Sequence, residues 1–147
     1  MHSLTVIPGR LLPTAAQLLA KYPTATAWSF GDSPQLADEL AALVLCGKKK
    51  ATCSALQACI QENALPVVGA ISIILDGRGN PVCAIRTLVT RLLRFNEVTE
   101  SLARKEGEGD LSLSHWQKEH QRFFSREGTW SPDMELVFEE FALIERL

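Results

Sequence analysis

The segment that decides the class of fold reads VVGAISIIL over Val67–Leu75, DGRGN over Asp76–Asn80 and VCAIRTLV over Val82–Val89. The two outer runs are rich in the β-branched residues that favour strands. The middle run contains two glycines and an asparagine, which are typical of turns. The sequence therefore predicts a β-hairpin over residues 67–89.

Downstream of this hairpin, the pattern predicts further strands and two helices. Leu92, Leu93 and Phe95 extend the sheet or barrel, and the apolar residues of 137–144 close the chain as β structure. Thr99 is placed to cap a short helix that reaches Glu106 and stops at Gly107. Ser112 is placed to cap a second helix, on which five side chains share one face: Leu113, Trp116, His120, Phe123 and Phe124.

Upstream of the hairpin, a short apolar entry at Leu4 to Ile7 leads towards a well-signalled helix. Ser33 can cap that helix, Pro34 suits its first position, and Gly47 can close it in the left-handed conformation. The next segment is ambiguous, because Ala51 to Leu56 reads as a strand whereas Cys53 to Gln61 also reads as a helix. Local helices among hairpin-connected strands favour an α+β domain around an antiparallel sheet or small barrel.

Composition limits the architecture and the function classes. The 147 residues are 46% hydrophobic and fit a single domain over 1–147. A net charge of -2 argues against a protein that coats nucleic acid or membranes by bulk charge, although the charge is distributed unevenly along the sequence. Without a run of 18 apolar residues or a cationic leader, we predict a cytoplasmic protein with no membrane partner. The four cysteines, which lack Cys-x-x-Cys spacing, are predicted to be buried free thiols: Cys46, Cys53, Cys59 and Cys83.

A basic run, Gly47-Lys48-Lys49-Lys50-Ala51-Thr52, follows the predicted helix. It is not a phosphate-binding P-loop, because Ala42 stands where that motif needs its first glycine. A lysine triplet at a helix end also complements the helix dipole, so the run alone does not indicate a site. Lys49 and Thr52 can reach one ligand if Lys49 lies in the connector, where strand alternation does not apply.

An acidic run, Glu106-Gly107-Glu108-Gly109-Asp110, is the second candidate element. Its glycines and Asp110 can be explained by one helix ending and the next beginning. Its three carboxylates could also bind a hard cation, although their spacing does not match the calcium-loop pattern. We predict no resident cofactor and no defined metal site, with a divalent metal left as an open alternative.

Aromatic and basic side chains supply the remaining candidates. Trp116 offers a surface for stacking a base, although an aromatic at helical spacing is usually core. His120 on the same face reads as either a structural or a functional histidine. Arg86, Arg91 and Arg94 lie along predicted β structure, where they form either a solvated face or phosphate contacts.

Taken together, these pieces resemble the ASCH domain, a family of PUA-like fold, and most closely its longer bacterial members, which are described as RNA-binding. The resemblance covers nearly the whole chain. It rests on Phe30–Pro34, Leu36–Leu40, Gly47–Thr52, Val82–Ile85, Phe95–Val98, Glu106–Asp110, Trp116 and His120–Phe124. The fold it implies is a small β-barrel with flanking helices and a cleft beside the lysine run.

The resemblance also implies a function. Small bacterial relatives hydrolyse acetylcytidine with a lysine, a threonine and a glutamate, and another member resembles a ribonuclease acting on single strands. The matching triad is Lys49, Thr52 and Glu106, with Glu108 or Asp110 as alternative carboxylates. The implied partner is RNA or a modified ribonucleoside, contacted by Lys48, Lys50, Arg86, Arg91, Arg94, Trp116 and His120.

Two roles for Lys49 and two classes of function stay open at this level. An unprotonated Lys49 could activate Thr52 as a base, whereas a charged Lys49 could stabilise negative charge on an amide or phosphoryl oxygen. The domain is then either a hydrolase acting on RNA or ribonucleosides, or a non-catalytic RNA-binding module. The sequence does not indicate an oligomeric state.

Overall fold

The computed structural model describes residues 2–3 and 13–147, with side chains from residue 16 onward, so the predicted entry at Leu4 to Ile7 lies outside the described residues. The described strands are β1 His2–Ser3, β2 Thr26–Phe30, β3 Ala51–Ala55, β4 Ile71–Leu75, β5 Pro81–Arg94 and β6 Glu135–Arg146. The described helices are α1 Pro13–Lys21, α2 Pro34–Leu45, α3 Leu56–Gln61, α4 Glu100–Glu106 and α5 Leu113–Glu127, with a 3-10 turn at Phe95–Glu97. None of these helices is long and apolar enough to span a bilayer.

The strands form one sheet in the order β1-β2-β4-β5-β6-β3, which curls into a half-barrel flanked by helices. The predicted hairpin is confirmed as the antiparallel pair of β4 and β5, although β4 begins at Ile71 rather than at Val67. The sheet is mixed rather than purely antiparallel, because β2 and β4 run parallel. That pairing is accessible because the long connection through α2, β3 and α3 separates the two strands.

The predicted helix boundaries follow from the capping residues. Ser33 accepts a hydrogen bond from the N–H of Leu36 at 3.1 Å and Pro34 opens α2. Ser112 caps α5 in the same way, through the N–H of His115 at 3.1 Å. Gly47 adopts a φ of 82° beyond the end of α2, the left-handed geometry that the sequence predicts.

The ambiguous segment after Gly47 contains both predicted elements in succession. Residues 51–55 form β3, which pairs antiparallel with β6, and the chain then turns into α3 at Leu56. Three of the cysteines are buried free thiols as predicted, but Cys46 is exposed at the end of α2. An apolar neighbourhood in sequence does not bury Cys46, because α2 has already ended there.

Candidate functional site

The connector between α2 and β3 places Lys49 in the interior and its two neighbours outside. The N–H groups of Lys48 and Lys49 both donate to the carbonyl of Leu43, at 3.0 Å each, so the chain wraps around the end of α2. Lys48 and Lys50 are exposed, whereas Lys49 is only 1% exposed. The structure therefore separates the three lysines into one buried cation and two surface cations.

The Lys49 ammonium lies among oxygen atoms from the acidic run. Its Nζ donates to the Glu108 carboxylate at 2.8 Å, and it lies 3.3 Å from the Glu106 carbonyl and 3.4 Å from Glu106 Oε1. It also lies 5.4 Å from the centre of the Phe30 ring, within reach of a cation–π interaction. An ammonium has three donors, so these three contacts use its full hydrogen-bonding capacity.

Glu106 is fixed from its other side by α5. The indole N–H of Trp116 donates to Glu106 Oε2 at 2.5 Å, and His120 Nε2 lies 3.3 Å from Oε1. The Trp116 and His120 rings stack with centroids 4.1 Å apart. Residues four apart on a helix share a face, so one face of α5 supplies both contacts. Trp116 and His120 therefore orient the Glu106 carboxylate that Lys49 contacts. We call Lys49, Glu106, Glu108, Trp116 and His120 the Lys49 cluster.

The charges in the Lys49 cluster stabilise one another. Burial alone lowers the pKa of Lys49, but the carboxylates of Glu108 and Glu106 outweigh burial and raise that pKa above its usual range. Burial alone raises the pKa of Glu106, but His120 and Lys49 outweigh it and hold that pKa well below its usual range. Lys49 is therefore an ammonium and Glu106 a carboxylate at neutral pH. This geometry fits the charged role of Lys49 and not the role of an unprotonated base.

The hydrogen bonds of His120 restrict its form. Its Nδ1 lies 2.8 Å from the Trp116 carbonyl, which can only accept, so Nδ1 carries a proton. Its Nε2 lies 3.3 Å from Oε1 of the Glu106 carboxylate, so both ring nitrogens face oxygen atoms of the protein.

A metal ion fits this arrangement poorly. The ligand atoms of Cys53, Glu106 and His120 lie within 4.8 Å of one another, close enough to share an ion. However, burial and then Glu106 raise the pKa of the Cys53 thiol well above its usual range, and metals bind the thiolate. The Lys49 ammonium already supplies a cation to Glu106. The run of three carboxylates does not converge either, because Asp110 instead accepts a hydrogen bond from the N–H of Ser112 at 2.9 Å.

The glycines of the acidic run allow close packing. Gly107 has a φ of 71°, and a Cβ there would lie 2.1 Å from the carbonyl oxygen of Lys48. Gly109 has a φ of 60°, and a Cβ there would lie 2.2 Å from the His115 ring. Gly107 thus ends α4 as predicted and also admits the lysine connector against the acidic run.

The side chains of Thr52 and Cys53 point to opposite faces of the sheet, and the Cys53 side chain points towards the Lys49 cluster. Successive side chains of a strand point to opposite faces, and it is Cys53 that reaches Glu106. Across the strand pair, Thr52 stands opposite Glu139 of β6, which is only 3% exposed. Strand register therefore places the Glu139 carboxylate beside Thr52, in addition to the carboxylates that the sequence analysis predicts.

The predicted RNA contacts divide between surface and interior. Lys48, Lys50 and Arg86 are exposed. Arg91 pairs with Glu140 at 3.3 Å and Arg94 with Asp133 at 3.8 Å, both at the surface.

Trp116 and His120 differ from the expectation. Trp116 is 2% exposed and His120 is fully buried, so neither ring offers a face to a base in this structure. The reason is that the helix face they share packs against Glu106.

Glu139 is the polar residue that the sequence reasoning missed. It accepts a hydrogen bond from Thr87 Oγ1 at 2.6 Å in the interior. The signal was present, because Glu139 and Glu140 are adjacent in a strand, and alternation turns one of two neighbours inward. For Cys53, on the same strand as Thr52, the sequence predicts only a buried free thiol.

The comparisons with known proteins agree with this fold. No functionally curated protein matches the sequence. A crystal structure of a protein from Enterococcus faecalis is 36% identical, with a TM-score of 0.77 over 89% of this chain and 85% of that one. A crystal structure of an ASCH domain from Lactobacillus crispatus is 34% identical, with a TM-score of 0.79 over 88% of this chain and 86% of that one. The ASCH domain model matches residues 26–145, and the chain therefore belongs to the ASCH domain family.

Proposed function

We propose that this ASCH domain binds RNA or a modified ribonucleoside and hydrolyses it at the Lys49 cluster. The observation that carries the proposal is the buried ammonium of Lys49, held by Glu106 and Glu108 and supported by Trp116 and His120. The reaction is either cleavage of single-stranded RNA or hydrolysis of an amide such as that of acetylcytidine.

The energetic cost of the cluster supports a functional role. Each buried ion loses several kcal/mol of hydration, and apolar replacements of buried ion pairs are often neutral or stabilising. Packing alone therefore gives no reason to build charges into this interior. Charges held at fixed positions away from water are the arrangement that stabilises charge developing in a transition state.

The geometry supports separate roles for the residues of the cluster. Lys49 supplies positive charge to the oxygen of an amide or phosphoryl group as it becomes negative. Among the side chains that contact the ammonium, Glu106 is fully buried and Glu108 is 11% exposed. Displacement of Glu108 frees one donor of Lys49 for substrate, while Glu106 keeps the ammonium in place. The released Glu108 carboxylate then lies beside the substrate, where it can accept a proton from an attacking water and return it to the leaving nitrogen or oxygen as the scissile bond breaks.

The exposed lysines favour a second candidate, a non-catalytic RNA-binding module. Lys48 and Lys50 flank the cluster at the surface, and neither forms an ion pair with any residue in the described part of the chain. Two such cations can hold backbone phosphates without chemistry. This candidate predicts binding that weakens steeply with salt and weakens further, in small equal steps, when each exposed lysine is removed.

A hydrolysis panel separates the two candidates. Single-stranded RNA, duplex RNA and acetylated cytidine are incubated with wild type, Lys49→Met and the matched surface variant Lys48→Met, each verified as folded at the assay temperature. The hydrolase predicts turnover that Lys49→Met abolishes and Lys48→Met retains, with binding much less affected. Binding without turnover of any substrate, with or without divalent metal, rejects the hydrolase and leaves the binding module.

A further inference from the structure

A second polar site lies against the sheet and shares no residue with the Lys49 cluster. A cavity of about 270 Å³ opens between the loop after α3 and strands β2, β4 and β6. Glu139 and Thr87, both buried, line it together with Ser72, Thr26, Trp28 and Asn63. The proposed hydrolysis gives no role to these residues.

Glu139 is held in a way that leaves part of its carboxylate available. Among the described side chains, the Thr87 hydroxyl donates a hydrogen bond to Glu139 Oε1, at 2.6 Å. Burial raises the pKa of Glu139, and the hydrogen bond from Thr87 offsets this only in part. Among the residues that the structure describes, no lysine or arginine lines the cavity. A buried carboxylate that no lysine or arginine of the described chain contacts gains most from a ligand that brings N–H donors.

The remaining walls restrict the ligand further. The described wall disfavours phosphates and carboxylates, because its described residues offer no lysine or arginine and present a carboxylate. The volume lies just below the usual range of roughly 300–1,000 Å³ for sites that hold drug-sized molecules, so the occupant is small. Trp28 also lines the cavity, but like Trp116 it is nearly buried, at 3% exposed, so the polar wall residues and not stacking define the ligand. These properties together fit one heterocyclic base with an exocyclic amino group.

The cavity is also close to the Lys49 cluster. Trp28 lines the cavity, and its ring centroid lies 4.9 Å from that of Phe30. The Phe30 centroid in turn lies 5.4 Å from Lys49 Nζ. Thr52 stands opposite Glu139 across the strand pair. Two aromatic rings therefore separate the cavity from the buried ammonium.

We propose that this cavity recognises an amino-bearing nucleobase, with Glu139 accepting from the exocyclic amino group. The choice of a nucleobase as ligand rests on the proposed function. A carboxylate that accepts from the N4 amino group of cytosine is a known form of base readout, and uracil presents a carbonyl oxygen there instead. The site therefore prefers cytosine over uracil.

The substitution Glu139→Gln tests this preference. Glutamine keeps an acceptor for Thr87 and adds an amide donor, so it converts a site for an amino group into one that also accepts a carbonyl. The matched control is Glu135→Gln, an exposed position on the same strand. Dissociation constants for cytidine, uridine and methylammonium are measured by calorimetry, and amide chemical shifts of Ser72 and Thr87 report whether the ligand enters the cavity.

We expect wild type and Glu135→Gln to prefer cytidine over uridine by about tenfold, within the range for a good base contact. We expect Glu139→Gln to lose or reverse that preference. Equal affinities in wild type, an unchanged preference in Glu139→Gln, binding of methylammonium in place of the nucleosides, or shifts confined to other residues overturn the inference.

The two proposals fail separately in these measurements. If RNA is hydrolysed in a Lys49-dependent way while Glu139→Gln leaves base preference unchanged, the cavity is not a base site and the hydrolase stands. If Glu139 sets base preference while no substrate is turned over, the base site stands and the hydrolase is rejected.

Discussion

Replacement of Lys49 by methionine tests whether the buried charges of the cluster depend on one another. Methionine approximates the length of the lysine stem but removes the ammonium, which leaves the fully buried Glu106 carboxylate without its lysine. Removing one partner of a buried ion pair typically costs about 3–5 kcal/mol, because the remaining charge stays desolvated. For a chain of this length, each kcal/mol lowers the melting temperature by about 2–4 °C. We therefore expect a loss of roughly 6–20 °C.

The assay is urea and thermal unfolding followed by circular dichroism at pH 7. Lys48→Met is the control, because Lys48 is exposed and surface changes usually stay within about 0.5 kcal/mol. The double variant Lys49→Met/Glu106→Gln removes both charges, so it should recover a large part of the lost stability. A cost below about 1 kcal/mol for Lys49→Met, or no recovery in the double variant, would refute the description of a mutually dependent buried pair.

Three further substitutions test separate contacts. Gly107→Ala should destabilise the protein by about 1–3 kcal/mol more than Gly128→Ala, because both positions have positive φ but only a Cβ at Gly107 would clash with a backbone carbonyl. Equal losses of stability in urea unfolding would show that this close approach does not affect stability. Trp116→Phe should cost about 1.5–3 kcal/mol, since it deletes a donor to the ionised Glu106; a negligible cost would contradict that hydrogen bond. Glu139 has a folded pKa raised above its ordinary value, so its stabilising contribution is present below that ordinary value and is lost as pH rises through the folded pKa. The melting temperature of Glu139→Gln relative to wild type should therefore increase from pH 4 to pH 8, and a flat difference would contradict an uncompensated carboxylate.

The local elements could be predicted because their signals are local. The turn after Leu75, the serine caps and the left-handed Gly47 are each determined by residues within a few positions of one another. Strand β2 was not predicted, because its alternation of apolar and polar residues is confined to Trp28-Ser29-Phe30, which is too short a run to distinguish a strand. The parallel pairing of β2 with β4 could not be predicted either, since it depends on how a long connection returns the chain.

In the candidate site too, some features could be predicted from the sequence and others depend on the assembled fold. The pairing of the lysine connector with the acidic run follows from the family resemblance, and the structure brings Lys49 and Glu106 together. The direction of Thr52 could not be read from its spacing to Lys49, because β3 begins only at Ala51 and strand alternation applies from there. The register of β3 against β6, which sets Glu139 opposite Thr52, is a property of the assembled sheet.

The separation of Lys49 and Glu106 along the chain has a kinetic consequence. The two residues are 57 positions apart, and the hairpin of β4 and β5 lies between them. Their charges lose water only after the intervening strands have brought the connector and the acidic run together, so the contact forms late in folding. We expect Lys49→Met to accelerate unfolding while leaving the folding rate nearly unchanged. The buried ions then determine how long a folded molecule persists more than how quickly it forms.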